Sequence, residues 1–254
     1  MDRFQFTLWQ LDDYGPWTTT PEPRPEMTLQ SLQSRLYTDL AEMVGEREGY
    51  VFRGREDNLV GVTNSLGVAD HREIRDRIAD DYPVTLSAGI GTGETPLAAL
   101  RTATEKLQAA GSAQKSDRSG TLRGESLDAS PPFQVAHFDV VDATGRLTDA
   151  VDAAAAIDAL DDVTRTLRAE IRARHGGLAF FVGGDNVIAV VPPLASADYD
   201  DLCETARAET GLPLQVGVGT GSTARAAGMA AKHALEDARE REQTVVVPEP
   251  VAAD

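Results

Sequence analysis

An α+β fold made of two tandem βαββαβ units with antiparallel sheets is the class this sequence predicts, and three observations predict it. First, the chain repeats itself: Phe6–Asp12 aligns with Phe133–Asp139, Asp57-Asn58 with Asp185-Asn186, and AGIGTG from Ala88 with VGVGTG from Val216, at an offset of 127 or 128 residues throughout. Chance matches do not keep register across three separated segments, so the offset indicates duplication of one folding unit. Second, apolar residues alternate in short runs and recur at three and four in longer ones, giving strands and helices in the same order in each half. Third, each copy ends its first strand in an aspartate and turns its hairpin on Asp-Asn.

In the first half, Phe4 to Leu11 alternates as a strand and runs into a polar, proline-rich loop, DDYGPWTTTPEPRPEM. Leu29, Leu32, Leu36, Leu40 and Met43 then mark a helix starting at Thr28, with Thr28 as N-cap. Tyr50–Arg53 and Leu59–Val62 read as strands around the Asp57-Asn58 turn. A helix from Asp70 to about Asp80, a strand from Val84 to Ile90 and an added helix from about Thr95 to Ala109 complete the unit. The second half repeats this order. It has a strand at Gln134–Phe138, a long helix carrying Val151, Ala154, Ile157, Leu160, Val163, Leu167 and Ile171, and the hairpin LAFFVGGDNVIAVV. A helix at Asp198–Glu209, a strand at Leu214–Val218 and a helix from Ser222 to about Arg241 follow, and the tail after Thr244 reads as a short strand fraying into a loose end. The Ser-, Gly-, Asp- and Pro-rich stretch between the halves reads as a linker. The expected organisation is therefore residues 1–112, a linker at 113–132, and residues 133–250.

The chain is acidic, with 41 acids against 24 bases and a net charge of −17, and only Lys106, Lys115 and Lys232 are lysines. Such a surface repels nucleic acid and anionic membrane, so neither is an expected partner. Acidic, lysine-poor composition fits a salt-rich cytoplasm, where screening is strong. No run of 18 apolar residues occurs, and cytoplasmic residence is the expectation. Cys203 is the only cysteine and the histidines are scattered at 71, 137, 175 and 233, which excludes an intrachain disulfide and a thiolate zinc cluster. Any metal is expected to be hard and oxygen-liganded.

In a βαββαβ unit the first strand lies beside the third, so the end of strand one approaches the hairpin turn. That topology places Asp12 near Asp57 and Asp139 near Asp185. Paired carboxylates repel unless a cation neutralises them or one is protonated, which makes these four residues candidate metal ligands. The glycine runs GIGTGET and GVGTGST lack the Gly-Lys-Ser/Thr ending of a phosphate loop, and close packing of a strand against a helix explains them better.

The segment FVGGDN at 181–186 resembles the GGDEF-type hairpin of palm-domain nucleotidyl cyclases. More extensively, LDDYGPWTTTPEPRPEMTLQSLQSRLYTDL from Leu11 to Leu40, REDNLVGVTN at 55–64, GETP at 93–96, GSAQ at 111–114, AHFDVVDATGRLTD at 136–149 and FFVGGDN at 180–186 resemble the archaeal GTP cyclohydrolase III family, with a haloarchaeal cast. The resemblance implies two ferredoxin-like palm domains in a homo-oligomer, a dimer or tetramer. It also implies a magnesium-dependent enzyme, holding two or more ions, that opens the imidazole ring of GTP. The formyl group is kept, two phosphates leave, and the product is a formylaminopyrimidine ribonucleoside monophosphate on the routes to riboflavin and deazaflavin. A monovalent cation is a further candidate cofactor. The lack of a Cys/His zinc set agrees with ring opening that stops before formate release.

Asp12 and Asp57 are the first candidates for catalysis and metal binding, with Asp139 and Asp185 as the second pair. His137 lies two residues before Asp139 on the same sheet face and is a candidate proton shuttle. Tyr14 and Trp17, in a loop stiffened by prolines, could stack the guanine base or anchor the loop. Arg24 and Arg35 are candidates for the triphosphate, Gln30 and Gln33 for the guanine edge, and Asn58 and Asn186 for substrate contact from the hairpin turns. Gly183 and Gly184 would let a phosphate approach the backbone. Two other readings remain open: a nucleotidyl cyclase of diguanylate or adenylyl type, and a catalytically silent nucleotide-binding regulator.

Overall fold

The structure, a computed structural model, describes residues 4–115 and 118–247. The chain divides into two compact units with the break at Pro131–Pro132, and Thr223–Arg225 groups with the first. In unit one the elements are β1 (Phe4–Leu11), α1 (Tyr14–Thr19), α2 (Glu26–Gly45), β2 (Tyr50–Arg55), β3 (Asn58–Val62), α3 (Val68–Asp81), β4 (Leu86–Gly93), α4 (Pro96–Ala109) and β5 (Leu122–Arg123). In unit two they are β6 (Phe133–Val140), a π-helical turn at Thr144–Thr148, α5 (Ala153–His175), β7 (Leu178–Gly183), β8 (Asn186–Val191), α6 (Ser196–Thr210), β9 (Leu214–Gly221), α7 (Ala224–Glu240) and β10 (Val245–Val246). The sheet orders are β2-β3-β1-β4-β5 and β10-β9-β6-β8-β7.

Each unit is thus ferredoxin-like, with its first strand central and beside its third, as the sequence predicts. The sheets are mixed and not purely antiparallel, because β5 adds in parallel to β4, and β10 in parallel to β9. Part of the stretch expected to be a linker therefore belongs to unit one. Its polar composition reflects tight turns and buried hydrogen bonds, which look the same as a tether in sequence.

Other boundaries differ for local reasons. The proline-rich loop contains the short helix α1, entered through Asp13 with φ 52°, and α2 begins at Glu26 after Pro25, so Thr28 is inside the helix and does not cap it. Proline immediately before or at a helix start is tolerated because the first N–H groups have no partner anyway. The strand predicted from Val84 begins at Leu86. In α5, Val163, Leu167 and Ile171 are buried, whereas Val151 precedes the helix and Ile157 is exposed. Periodicity cannot show how far a helix runs past the element it covers. The predicted loose end beyond residue 247 lies outside the described residues.

Each sheet is covered on both faces. One face of β1 carries Trp9 and Leu11 into a core with Leu36 and Leu40 of α2 and Ile74 and Ile78 of α3. Against the other face lies α4, and a Cβ on Gly91 would sit 2.2 Å from Ala103 N and Ala99 O. Unit two repeats the arrangement, with a Cβ on Gly219 falling 2.1 Å from Ala227 O of α7. The two glycine runs are therefore helix-packing surfaces.

Near the start of each central strand a buried polar residue is tied to the second long helix of its unit. Thr7 Oγ1 donates to His71 Nε2 at 2.7 Å while His71 Nδ1 donates to Gly67 O at 2.7 Å. At the duplicate positions, Tyr199 Oη donates to Gln134 Oε1 at 2.8 Å. His71 is fully buried, and that burial lowers its pKa.

Two outcomes follow from this packing. Gly91→Ala should lower the unfolding free energy by about 1–3 kcal/mol, since the α4 backbone has to move aside; urea midpoints measure this. Because the folded state keeps His71 neutral, the unfolded chain binds the extra proton once pH falls below about 6.5. Stability should then fall with decreasing pH by roughly 1.4 kcal/mol per unit for this one group. Between pH 7.5 and 5.5, taken here as roughly one unit either side of that ordinary value, His71→Gln should show a flatter stability profile than the parent.

Candidate functional site

The two strand-end aspartates meet different surroundings. In unit one the main chains of strand end and hairpin turn join as expected, with Leu11 N donating to Asp57 O at 3.1 Å. The carboxylates take separate partners. Asp12 Oδ1 accepts from Arg118 Nε and Nη2, both at 2.9 Å, and Oδ2 accepts from Thr85 Oγ1, Ser87 Oγ and Gly120 N at 2.8–2.9 Å. Both side chains of this ion pair are 2% exposed. Five donors fill the lone-pair sites a carboxylate offers. Asp57 instead accepts from Asn58 Nδ2 at 2.8 Å and Arg55 Nη2 at 3.2 Å. The expected Asp12–Asp57 pair is thus not brought to one point: strand alternation and the segment after α4 turn Asp12 onto Arg118.

In unit two the expected pair does come together. Asp185 stands close enough for its charge to bear on the Asp139 carboxyl, and Arg239 of α7 pairs with Asp139 Oδ1 at 2.7 Å. Burial, and beyond it the Asp185 charge, push the Asp139 carboxyl above its ordinary range, against the pull of Arg239. His137 Nε2 donates to Asn186 Oδ1 at 2.8 Å, and Asn186 Nδ2 donates to Asp185 Oδ1 at 3.1 Å. Burial lowers the His137 pKa, so its imidazole is held neutral with Nε2 protonated. Gly183 and Gly184 have φ of 110° and 60°, and a side chain at Gly183 would meet nothing within 4 Å. The turn therefore needs glycine for its backbone and leaves its outer side open. Among the described residues no group of three or more His, Cys, Asp or Glu side chains gathers as a metal cage.

Tyr14 and Trp17 stack on each other at 5.9 Å and pack against the unit-one core. Arg24 lies over the Trp17 ring at 4.2 Å and donates to the Trp17 and Thr20 carbonyls. These three residues anchor the loop. The Tyr14 hydroxyl is buried without a partner among the described residues, and its pKa is raised by burial and then by Glu26, Asp57 and Glu56. Arg35 bends back to Ser31 O of its own helix, Gln30 bonds Glu26, and Gln33 is half-buried on α2.

Between the β2–β3 hairpin, β1 and the end of α4 lies a cavity of about 720 Å³. Of the predicted residues it holds Asp57 and Asn58; Gln10, Gln114 and Arg118, which sequence reasoning assigned no role, also line it. GSAQ was visible as a family motif, but Arg118 was concealed in a stretch whose composition resembles a tether.

Two duplicated ferredoxin-like units, each ending its central strand in a buried aspartate beside a hairpin turn, define a tandem palm-type protein. Residues 6–253 match the family described as GTP cyclohydrolase III, and the chain belongs to that family. It is 49% identical over 249 residues to "GTP cyclohydrolase III 1" of Halobacterium salinarum, covering 96% of this chain and 98% of that protein. The figures are 48%, 96% and 98% for "GTP cyclohydrolase III" of Natronomonas pharaonis, and 40%, 92% and 88% for that of Methanocaldococcus jannaschii. No helix among the described residues is long and apolar enough to cross a membrane.

The two arginines predict different costs. Arg118→Met should lower the unfolding free energy by about 3–5 kcal/mol, because it strands a buried carboxylate, and adding Asp12→Asn should recover much of it. Arg239, which is 39% exposed, should cost far less on the same substitution. Chemical denaturation of the three variants checks both.

Proposed function

We propose that this protein is a GTP cyclohydrolase that opens the imidazole ring of GTP, keeps the formyl group and releases two phosphates, with the reaction seated at Asp139 and Asp185. Membership of the family supports the activity. The approach of two carboxylates in unit two supports the place: it is the one predicted acidic pair whose charges bear on each other, and a divalent cation relieves their repulsion.

Magnesium takes hard oxygen ligands from one or two carboxylates plus substrate phosphates, and this donor set fits it. When bound, it would supply positive charge for the triphosphate and for the attack of water. We propose two ions shared by the pair, a monovalent cation as a further requirement, and a homo-oligomeric assembly, dimer or tetramer.

The chain's own residues supply the rest. Gly183 and Gly184 leave room for phosphate oxygens against the backbone of the hairpin turn. Arg239 is the counter-ion that keeps Asp139 in place while no cation is present, and it is free to turn to phosphate afterwards. His137 is kept neutral by burial and oriented by Asn186, which leaves Nδ1 as the acceptor for a proton of the water that attacks C8.

Incubation with GTP and magnesium in high salt should replace the purine absorbance with that of a pyrimidine and release two phosphates per GTP. A purine spectrum that survives, with pyrophosphate as the product, would indicate cyclase chemistry instead. Asp139→Asn and Asp185→Asn should each lower kcat by about 100-fold or more, the range associated with loss of a group acting on the reacting centre, while circular dichroism stays unchanged. Full activity in both variants removes the assignment.

A further inference from the structure

A smaller cavity, of about 330 Å³, lies between the C-terminal half of α5 and the start of β7, and its lining is basic. Arg165, Arg168 and Arg172 follow one another at three and four, so they share one face of α5. Ala169 and the first residues of β7, Leu178 and Ala179, form an apolar wall beside them. Gly177 lets the chain enter β7 this close to α5, since a Cβ there would stand 2.7 Å from Ile171 Cγ2 and Val191 Cγ1. No acidic residue lines the cavity.

The three guanidinium groups are held to different degrees. Arg165 pairs at 3.1 Å with Asp162, which lies outside the lining. Arg168 Nε donates to Ala179 O at 3.1 Å, which fixes the group across the gap and leaves its two terminal nitrogens unused among the described residues. Arg172 has no hydrogen-bond or ion-pair partner among the described residues. Arg168 and Arg172 are also a like-charge pair four apart, an arrangement that weakens a helix. With 41 acids against 24 bases in the chain, this cluster is not what bulk composition supplies.

Guanidinium groups offer only donors, in a planar fork that matches the oxygens of a carboxylate or phosphate two at a time. A phosphate dianion can meet two forks at once and balances more of the charge than a carboxylate does. The cavity is larger than a bare phosphate. Its volume is roughly ten times the ~30 Å³ share of one water in the liquid. A phosphate group has four oxygens, so more than half of the space is left for the carbon skeleton that carries it, against the apolar wall.

We infer that this cavity binds a small phosphomonoester, with Arg168 and Arg172 gripping the phosphate and Arg165 adding charge at the rim. The site is separate from the Asp139–Asp185 centre, and it stands whether or not GTP is opened there.

Ribose 5-phosphate is titrated calorimetrically into the full-length protein in EDTA, at the lowest KCl concentration that keeps its circular dichroism native, because salt screens exposed charges. One molecule per chain is expected. Arg172→Gln should weaken binding by about tenfold or more, the loss that follows removal of a charge-assisted fork. The exposed Arg172 side chain gives up no internal contact in this variant, so the fold is kept, which circular dichroism checks. Ribose should show no binding, and inorganic phosphate should bind more weakly than ribose 5-phosphate. The double variant Asp139→Asn/Asp185→Asn should bind ribose 5-phosphate as the parent does. Absence of binding, an unchanged affinity in Arg172→Gln, or sulfate bound as tightly as the phosphomonoester each overturns the site. Inorganic phosphate bound as tightly as ribose 5-phosphate overturns the assignment to a monoester. Loss of binding in the double variant overturns the separateness of the site. A parent protein that binds ribose 5-phosphate but leaves GTP unchanged counts against the proposed function and leaves this site standing.

Discussion

A carboxylate buried at the end of a central strand has to be neutralised, and much of this structure answers that requirement. Asp12 and Asp139 occupy the same place in two copies of one fold, and each is met by an arginine. The arginines come from different elements. Arg118 follows α4 and closes a fully satisfied network, whereas Arg239 reaches from α7 and leaves Asp139 beside a second acid. The same constraint therefore yields a fully satisfied ion pair in one unit and two neighbouring acids beside one arginine in the other. Duplication permits this, since a second copy can keep an unfavourable charge arrangement while the first secures its own fold.

The scaffold around both acids is conservative. α4 and α7 rest on glycine-lined strands at backbone contact distance, so their termini are held accurately relative to the strand ends. Elsewhere the copies have exchanged chemistry while keeping geometry. The Thr7–His71 and Gln134–Tyr199 contacts join equivalent positions through different groups, one titratable near neutrality and one not, because burial raises the Tyr199 pKa further still.

Much of the fold was legible because periodicity and a constant offset are strong signals. β1 and β6, both hairpins and the central position of the first strand follow from alternation and from the repeat. The short parallel edge strands were not legible, since Leu122–Arg123 and Val245–Val246 are too brief to show a pattern. At the site, topology correctly brought Asp139 to Asp185. For Asp12 it placed the main chain beside the hairpin but not the carboxylate, whose direction depends on Arg118, more than a hundred residues away in sequence. Long-range partners of this kind leave no local trace. Tyr14, Trp17 and Arg24 illustrate the opposite case: they were visible as a group, and their mutual stacking consumes the faces a ligand would use.

The edge strands β5 and β10 carry one more implication. They are edges of only two residues each, so β2 and β7 are the longer outer strands of the two sheets among the described residues. β2 bears Arg53 and Arg55, charges that discourage strand addition, while β7 exposes Phe181 and Val182. If copies of this chain ever join by extending a sheet, the geometry reserves that role for the second unit, directly alongside the turn that bears Asp185.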